Sequence, residues 1–204
     1  MLSKQSKIFL EHLKKECKKN GVKLTMSNST SVDANGVKIC GYFDPVEREL
    51  AIAINQPEAN WISTAVHESC HMDQWKENTT IWKACQFNNF DASEMLDMWL
   101  AKRVELTSKQ RRAYIRSTME LELDCEIRTV AKIRKFDLRV DEEEYTKGAI
   151  AYIWSYKVVE NTRRWWTIVP YKVKEIVSRM PNKFPTNLST VNKKYLDLIK
   201  KYSF

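Results

Sequence analysis

Residues 67–71 read His67-Glu68-Ser69-Cys70-His71, and this pentapeptide constrains the fold more than any other stretch. Two histidines four apart present their rings together on a helix, where such positions lie one turn apart with Cβ atoms about 5–6 Å from each other. Neutral imidazole is a preferred zinc donor, so the pair can share one metal ion. Glu68 stands beside such an ion and not on it, where a general base can take a proton from a water. A catalytic site of this kind has three protein donors, so the fold must bring one more to this helix.

The flanks agree with a helix. Asn55 can cap it, Pro57 and Glu58 suit a first turn, and Trp61, Ala65, Cys70 and Met72 supply apolar positions. The chain has three histidines, and two of them are in this pair. The plainer alternative is a pair of surface histidines with no metal.

The rest of the composition limits the architecture. A chain of 204 residues suits a single domain, and 43% hydrophobic residues with seven tryptophans argue for a packed core. Four glycines and five prolines leave little room for tight turns, which favours a mostly helical fold. We therefore expect an α+β protein, a mostly helical zincin-like body with a small N-terminal antiparallel sheet. No apolar run reaches membrane-spanning length, and residues 1–21 read as an amphipathic helix rather than a signal peptide, so the expected location is cytoplasmic. Five cysteines without CxxC spacing are expected as reduced thiols, with Cys70 packed in the core. The net charge of +8 allows weak association with nucleic acid, but the basic residues are spread along the chain as solvated faces would have them.

In chain order, residues 3–19 form a helix stopped at Gly21, with Phe9, Leu13 and Cys17 inward and His12 at the solvent edge. Three strands follow at 22–26, 37–43 and 49–55, separated by turn signals at Asn35-Gly36 and Asp44-Pro45. After the histidine helix, residues 76–90 read as an irregular segment packed through Trp82 and Phe87. Asp91 caps a helix, Thr107-Ser108 caps a long one reaching about residue 133, and Asp141 caps another that ends at Arg163 and Arg164. Pro170 opens a helix to about Met180, and a short amphipathic helix closes the chain.

With histidines nearly exhausted, the third donor should be a carboxylate, and the acid-rich helix carrying Glu120, Glu122, Asp124 and Glu126 has the right features. A solvated acidic face is the competing explanation for any one of them. Here the chain resembles the gluzincin metallopeptidases, in which His-Glu-x-x-His is followed by a glutamate ligand on a later helix. Thr64, Ala65, Ser69, Cys70 and Met72 match the uncharged surroundings usual in that family, and Asp73 departs from them. Residues 122–129 follow the rhythm of the ligand helix of ImmA/IrrE-type peptidases. That register implies Glu122 as the ligand and Glu126 as the group that orients a metal-bound imidazole. Glu126 is the second candidate ligand, and Glu120, with Asp124 as its partner, the third. The layout of residues 37–180 is also similar to metallopeptidases of tailed bacteriophages.

The resemblance implies a zinc-dependent peptidase acting on a protein or peptide, in the host cytoplasm if phage-encoded. Such enzymes commonly bind an extended substrate along a sheet edge ahead of the metal helix. The tetrahedral oxyanion needs a donor, and Tyr152 or Tyr156 could serve, with Tyr42 a weaker candidate and core packing the competing explanation. The alternative function is a non-proteolytic metal-binding regulator or a nucleic-acid-associated protein of the same fold. The intact Glu68 speaks against a dead enzyme. Substrate identity and oligomeric state have no signature in the sequence.

Overall fold

The computed structural model describes residues 2–34, 36–87 and 90–204. Helix α1 (Lys4–Lys19) is capped by Ser3, whose side chain accepts from Ser6 N, and the chain leaves it through Gly21 at φ +66°. Strands β1 (Lys23–Ser27), β2 (Val32–Ala34), β3 (Val37–Ile39), β4 (Gly41–Asp44) and β5 (Glu49–Ala53) lead into α2 (Glu58–Glu77), which carries the histidines. Then come α3 (Thr80–Ala84), the short strands β6 (Gln86–Phe87) and β7 (Phe90–Asp91), α4 (Ala92–Leu100) and α5 (Ser108–Lys135). The chain ends with α6 (Glu142–Thr162), a 3-10 turn at Pro170–Lys172, α7 (Lys174–Val177) and α8 (Lys193–Ser203). The protein is α+β with a mostly helical body, as expected.

Residues 1–79 with 125–140 form one compact unit, and residues 80–124 with 141–204 form a second. In the first, the sheet order is β1-β5-β4, with β5 parallel to β1 and antiparallel to β4. The sheet is thus mixed rather than wholly antiparallel. Residues 28–48 give the chain enough length to return to the starting end before β5, which a parallel neighbour requires. The expected strand at 37–43 is broken at Cys40: β3 pairs with β2 in a separate hairpin, while β4 joins β5. The turn expected at Asn35-Gly36 falls partly outside the described residues, since Asn35 is not among them. Asn88 and Asn89 also lie outside, within the stretch read as irregular.

Strand β5 is central, and Leu50, Ala51, Ile52 and Ala53 are all buried. Side chains alternate between its faces. Ala51 and Ala53 pack with Val32, Ile39 and Tyr42 on the hairpin side. The opposite face carries Gly41 and Phe43 of β4 against α2, where Phe43 meets Trp75 with ring centroids 5.6 Å apart. A Cβ on Gly41 would sit 2.7 Å from Thr64 Cγ2 and 2.9 Å from the Ala51 carbonyl, so only glycine lets this strand approach the helix so closely. Helix α2 begins two residues later than an Asn55 cap would have it. Its N-cap is Pro57 rather than Asn55, and Glu58 accepts from Ser3 N at 3.0 Å and Ser6 Oγ at 2.7 Å.

The second unit packs Leu96 and Trp99, Ile115 and Met119, Ile150 and Ile153, Ile176 and Ile199 into one core. The caps expected at Asp91, Thr107 and Asp141 are all made. The segment expected to be irregular contains α3 and the β6–β7 pair, and Phe87 does pack on the core. Arg163 is not in a last helical turn but at the cap, at φ +51°, donating to the Trp99 carbonyl at 3.0 Å. The helix expected from Pro170 is a 3-10 turn and then a single helical turn, because Val173 between them adopts an extended backbone.

Candidate metal centre

On α2, His67 and His71 are brought together as their spacing requires, with their Nε2 atoms 3.1 Å apart. Each ring is anchored by its other nitrogen. His71 Nδ1 lies 2.9 Å from Gln74 Oε1, one turn further along α2, and Gln74 is wholly buried. An amide oxygen only accepts, so Nδ1 carries the proton and Nε2 is the basic atom. His67 Nδ1 faces Glu126 Oε1 at 3.4 Å, which favours the same tautomer. Burial and the nearby His67 hold the His71 pKa down to about 3, although Gln74 works against them, so this imidazole is neutral at any ordinary pH.

The two basic atoms therefore point at each other. That arrangement suits a shared cation: two nitrogens at 2.0–2.1 Å from a tetrahedral zinc are separated by about 3.3 Å. The pair of donors fits a metal ion for this reason, independently of any motif.

Helix α5 supplies the carboxylates. His67, Glu122 and Glu126 offer ligand atoms that all lie within 4.8 Å of one another. Glu122 and Glu126 are one turn apart on an unbroken helix, so the place of Glu122 follows from helix continuity through Cys125, where the second unit gives way to the first. Glu120 takes another course and pairs with Arg116 at 2.7 Å on an exposed face. Neither Glu120 nor Asp124 belongs to a ligand group among the described residues. His12 packs on Phe136, ring centroids 5.1 Å apart, and is likewise no part of such a group.

Glu68 is buried, and burial raises its pKa above the ordinary carboxylate value. The Glu126 charge adds to the rise, while His67 and a hydrogen bond from the Phe43 amide oppose it. The origin of that hydrogen bond is the sheet register. Ala53 N donates to the Cys40 carbonyl, so residues 40, 42 and 44 face β5 and the backbone groups of Gly41 and Phe43 turn outward at the edge of the sheet.

The tyrosines divide. Tyr42 is committed to the sheet: its hydroxyl donates to Glu49 Oε2 at 2.9 Å, and burial together with that carboxylate pushes its pKa up to about 12. Tyr152 and Tyr156 lie in the second unit with hydroxyls 2.9 Å apart. Burial and the Glu122 charge raise both pKa values well above the ordinary phenol range. Trp166 and Tyr171 surround Tyr152.

Three contributors went unread in the sequence. Gln74 follows His71 by three positions, a spacing that does signal a side-chain contact on a helix. Cys125, wholly buried, donates to the His67 carbonyl at 3.4 Å with its Sγ 3.6 Å from His67 Nδ1. Its signal was its position, three residues after Glu122. Lys132 donates to Ser69 Oγ at 2.8 Å and pairs with Asp73 at 2.7 Å, which explains the acid that departs from the motif. Compared with protein-family models, curated proteins and solved structures, the chain matches none of them, and its reading rests on this geometry.

Proposed function

We propose that the chain is a zinc-dependent peptidase of the gluzincin type, with His67, His71 and Glu122 as metal ligands and Glu68 as general base. The observation that carries this reading is the pair of Nε2 atoms 3.1 Å apart, each on a ring whose Nδ1 faces a side-chain oxygen. Zinc held by His67, His71 and Glu122 would supply Lewis acidity to a bound water and a peptide carbonyl. Glu68 takes the water's proton and passes it to the leaving amine, and its raised pKa moves it toward the range where it can do both. The Phe43 amide holds that carboxylate in place, and Glu126 orients His67. The oxyanion would need a further donor, the role expected of Tyr152 from the sequence.

The substrate class is a protein or peptide in extended form. At the β4 edge the outward backbone groups of Gly41 can pair with such a strand. We place its action in the cytoplasm, that of a host cell if the chain is phage-encoded, on the resemblance of its sequence to phage metallopeptidases alone. No helix among the described residues is long and apolar enough to cross a membrane.

Elemental mass spectrometry of untagged wild-type protein beside His71→Ala and Glu122→Gln tests the reading. One zinc per chain in the wild type, lost in both variants, is expected. Glu68→Gln should retain zinc and lose peptide hydrolysis in a library screen. No zinc in the wild type after zinc is supplied would end the proposal. Zinc retained in Glu122→Gln alone would move the third ligand to Glu126.

A further inference from the structure

Helix α5 carries Glu122, Cys125 and Glu126 on one face, because positions three and four apart lie together. Whatever brings the two glutamates to His67 brings the thiol between them as well. One nitrogen from each of His67 and His71, together with Cys125 Sγ, all lie within 4.8 Å of one another. Donors at 2.0–2.3 Å from one zinc ion are separated by about 3.3–3.8 Å; Cys125 Sγ lies 3.6 Å from His67 Nδ1 and donates to the His67 carbonyl, so to share an ion with the Nε2 pair it must leave that side of the ring and turn toward them.

The chemistry favours closure. Thiolate is among the donors that zinc prefers, and metal binding removes the thiol proton. Cys125 is wholly buried, so no water competes for its sulfur from bulk solvent. Charge also balances. A divalent cation with two neutral imidazoles, one carboxylate and one thiolate is neutral overall, which matters where unpaired charge is costly.

We infer that the Cys125 thiolate is a metal ligand in the resting protein, completing a closed shell with His67, His71 and a glutamate of α5. This rests on the proposed metal site and adds a property to it. A site with four protein donors lacks the open position that hydrolysis needs. The chain is then held inactive by its own thiol, and catalysis requires that sulfur to leave.

Cobalt reports this directly, because a thiolate bound to cobalt(II) gives a near-ultraviolet charge-transfer band that nitrogen and oxygen donors do not. Metal-free protein titrated with cobalt should develop the band to saturation at one equivalent. Cys125→Ser should lose the band while still binding cobalt by elemental analysis. Cys70→Ser should keep it, although the Cys70 thiol is hydrogen-bonded to Cys125. Cobalt bound without the band, or a band lost only in Cys70→Ser, would overturn the inference and leave the metal site standing. Failure of any cobalt or zinc to bind would remove both. X-ray absorption on the zinc-loaded wild type needs no variant to fold: sulfur scattering at about 2.3 Å is expected, and only lighter donors at about 2.0–2.2 Å would overturn the assignment.

Discussion

At the scale of single residues, Glu126 and Glu122 are expected to separate by their roles. Glu126 acts through His67, so Glu126→Gln should weaken zinc about 10–100-fold in a chelator competition and leave the stoichiometry at one. On the proposed ligand set, Glu122→Gln removes a ligand and should cost more than that. Equal losses in the two variants would make both carboxylates ligands. Glu49 has a different task. Its carboxylate accepts from Thr25 Oγ1 of β1 at 2.6 Å and Tyr42 Oη of β4 at 2.9 Å, with Lys23 Nζ at 2.8 Å. Hydrogen bonds from Lys23, Thr25 and Tyr42 bring its pKa from 4.5 to about 2. A depressed folded pKa stabilises the fold above the unfolded value, and that stabilisation is lost as pH falls through the folded one. Urea midpoints of the wild type should therefore drop between about pH 5 and pH 2, and Glu49→Gln should flatten that part of the profile. An unchanged slope would remove Glu49 as the acid-sensitive tie across the sheet.

Between elements, two contacts set the position of α2. Gly41 brings β4 against it, and Gly41→Ala should cost about 1–3 kcal/mol, since the Ala51 carbonyl is backbone and cannot turn aside. The same change should lower activity, because the strand that moves carries the Phe43 amide to Glu68. Thermal melts alongside peptide turnover would measure both. The second contact joins α2 to α5 through Asp73 and Lys132, whose side chains are 17% and 18% exposed. Lys132→Met strands Asp73 with Lys76 alone, 2.9 Å away, and should destabilise by about 1–3 kcal/mol. Adding Asp73→Leu should recover most of that loss, because removing both partners leaves no buried charge unpaired. If the double variant were no better than the single one, the pair would not be the tie between these helices.

For the whole molecule, the proposed metal site would link metal to stability. An ion that binds the folded chain stabilises it by about 2.7 kcal/mol at a hundredfold excess over Kd, so chelation should lower the melting temperature and zinc should restore it. His71→Ala should show no zinc-dependent shift. Much of what matters to this site is local and is written in the residues themselves. The four-residue spacing of His67 and His71 demands a helix, and Ser3, Asp91, Thr107 and Asp141 mark helix starts because a cap bonds amides two or three residues away. Short range is also why Glu122 and Glu126 could be placed on one face from spacing alone. The remaining features depend on partners distant in sequence. Burial on both faces made β5 a central strand, the break at Cys40 divided one apparent strand between two sheets, and a parallel β1–β5 pair replaced the antiparallel one. Residue type and spacing determined that two imidazoles share a helix face with a carboxylate beside them. Only tertiary packing decided that the Phe43 amide meets that carboxylate, that Gln74 and Glu126 fix the tautomers, and that a buried thiol stands within reach of both histidines, because such contacts depend on how α2, β4 and α5 meet and not on the order of residues in any one of them.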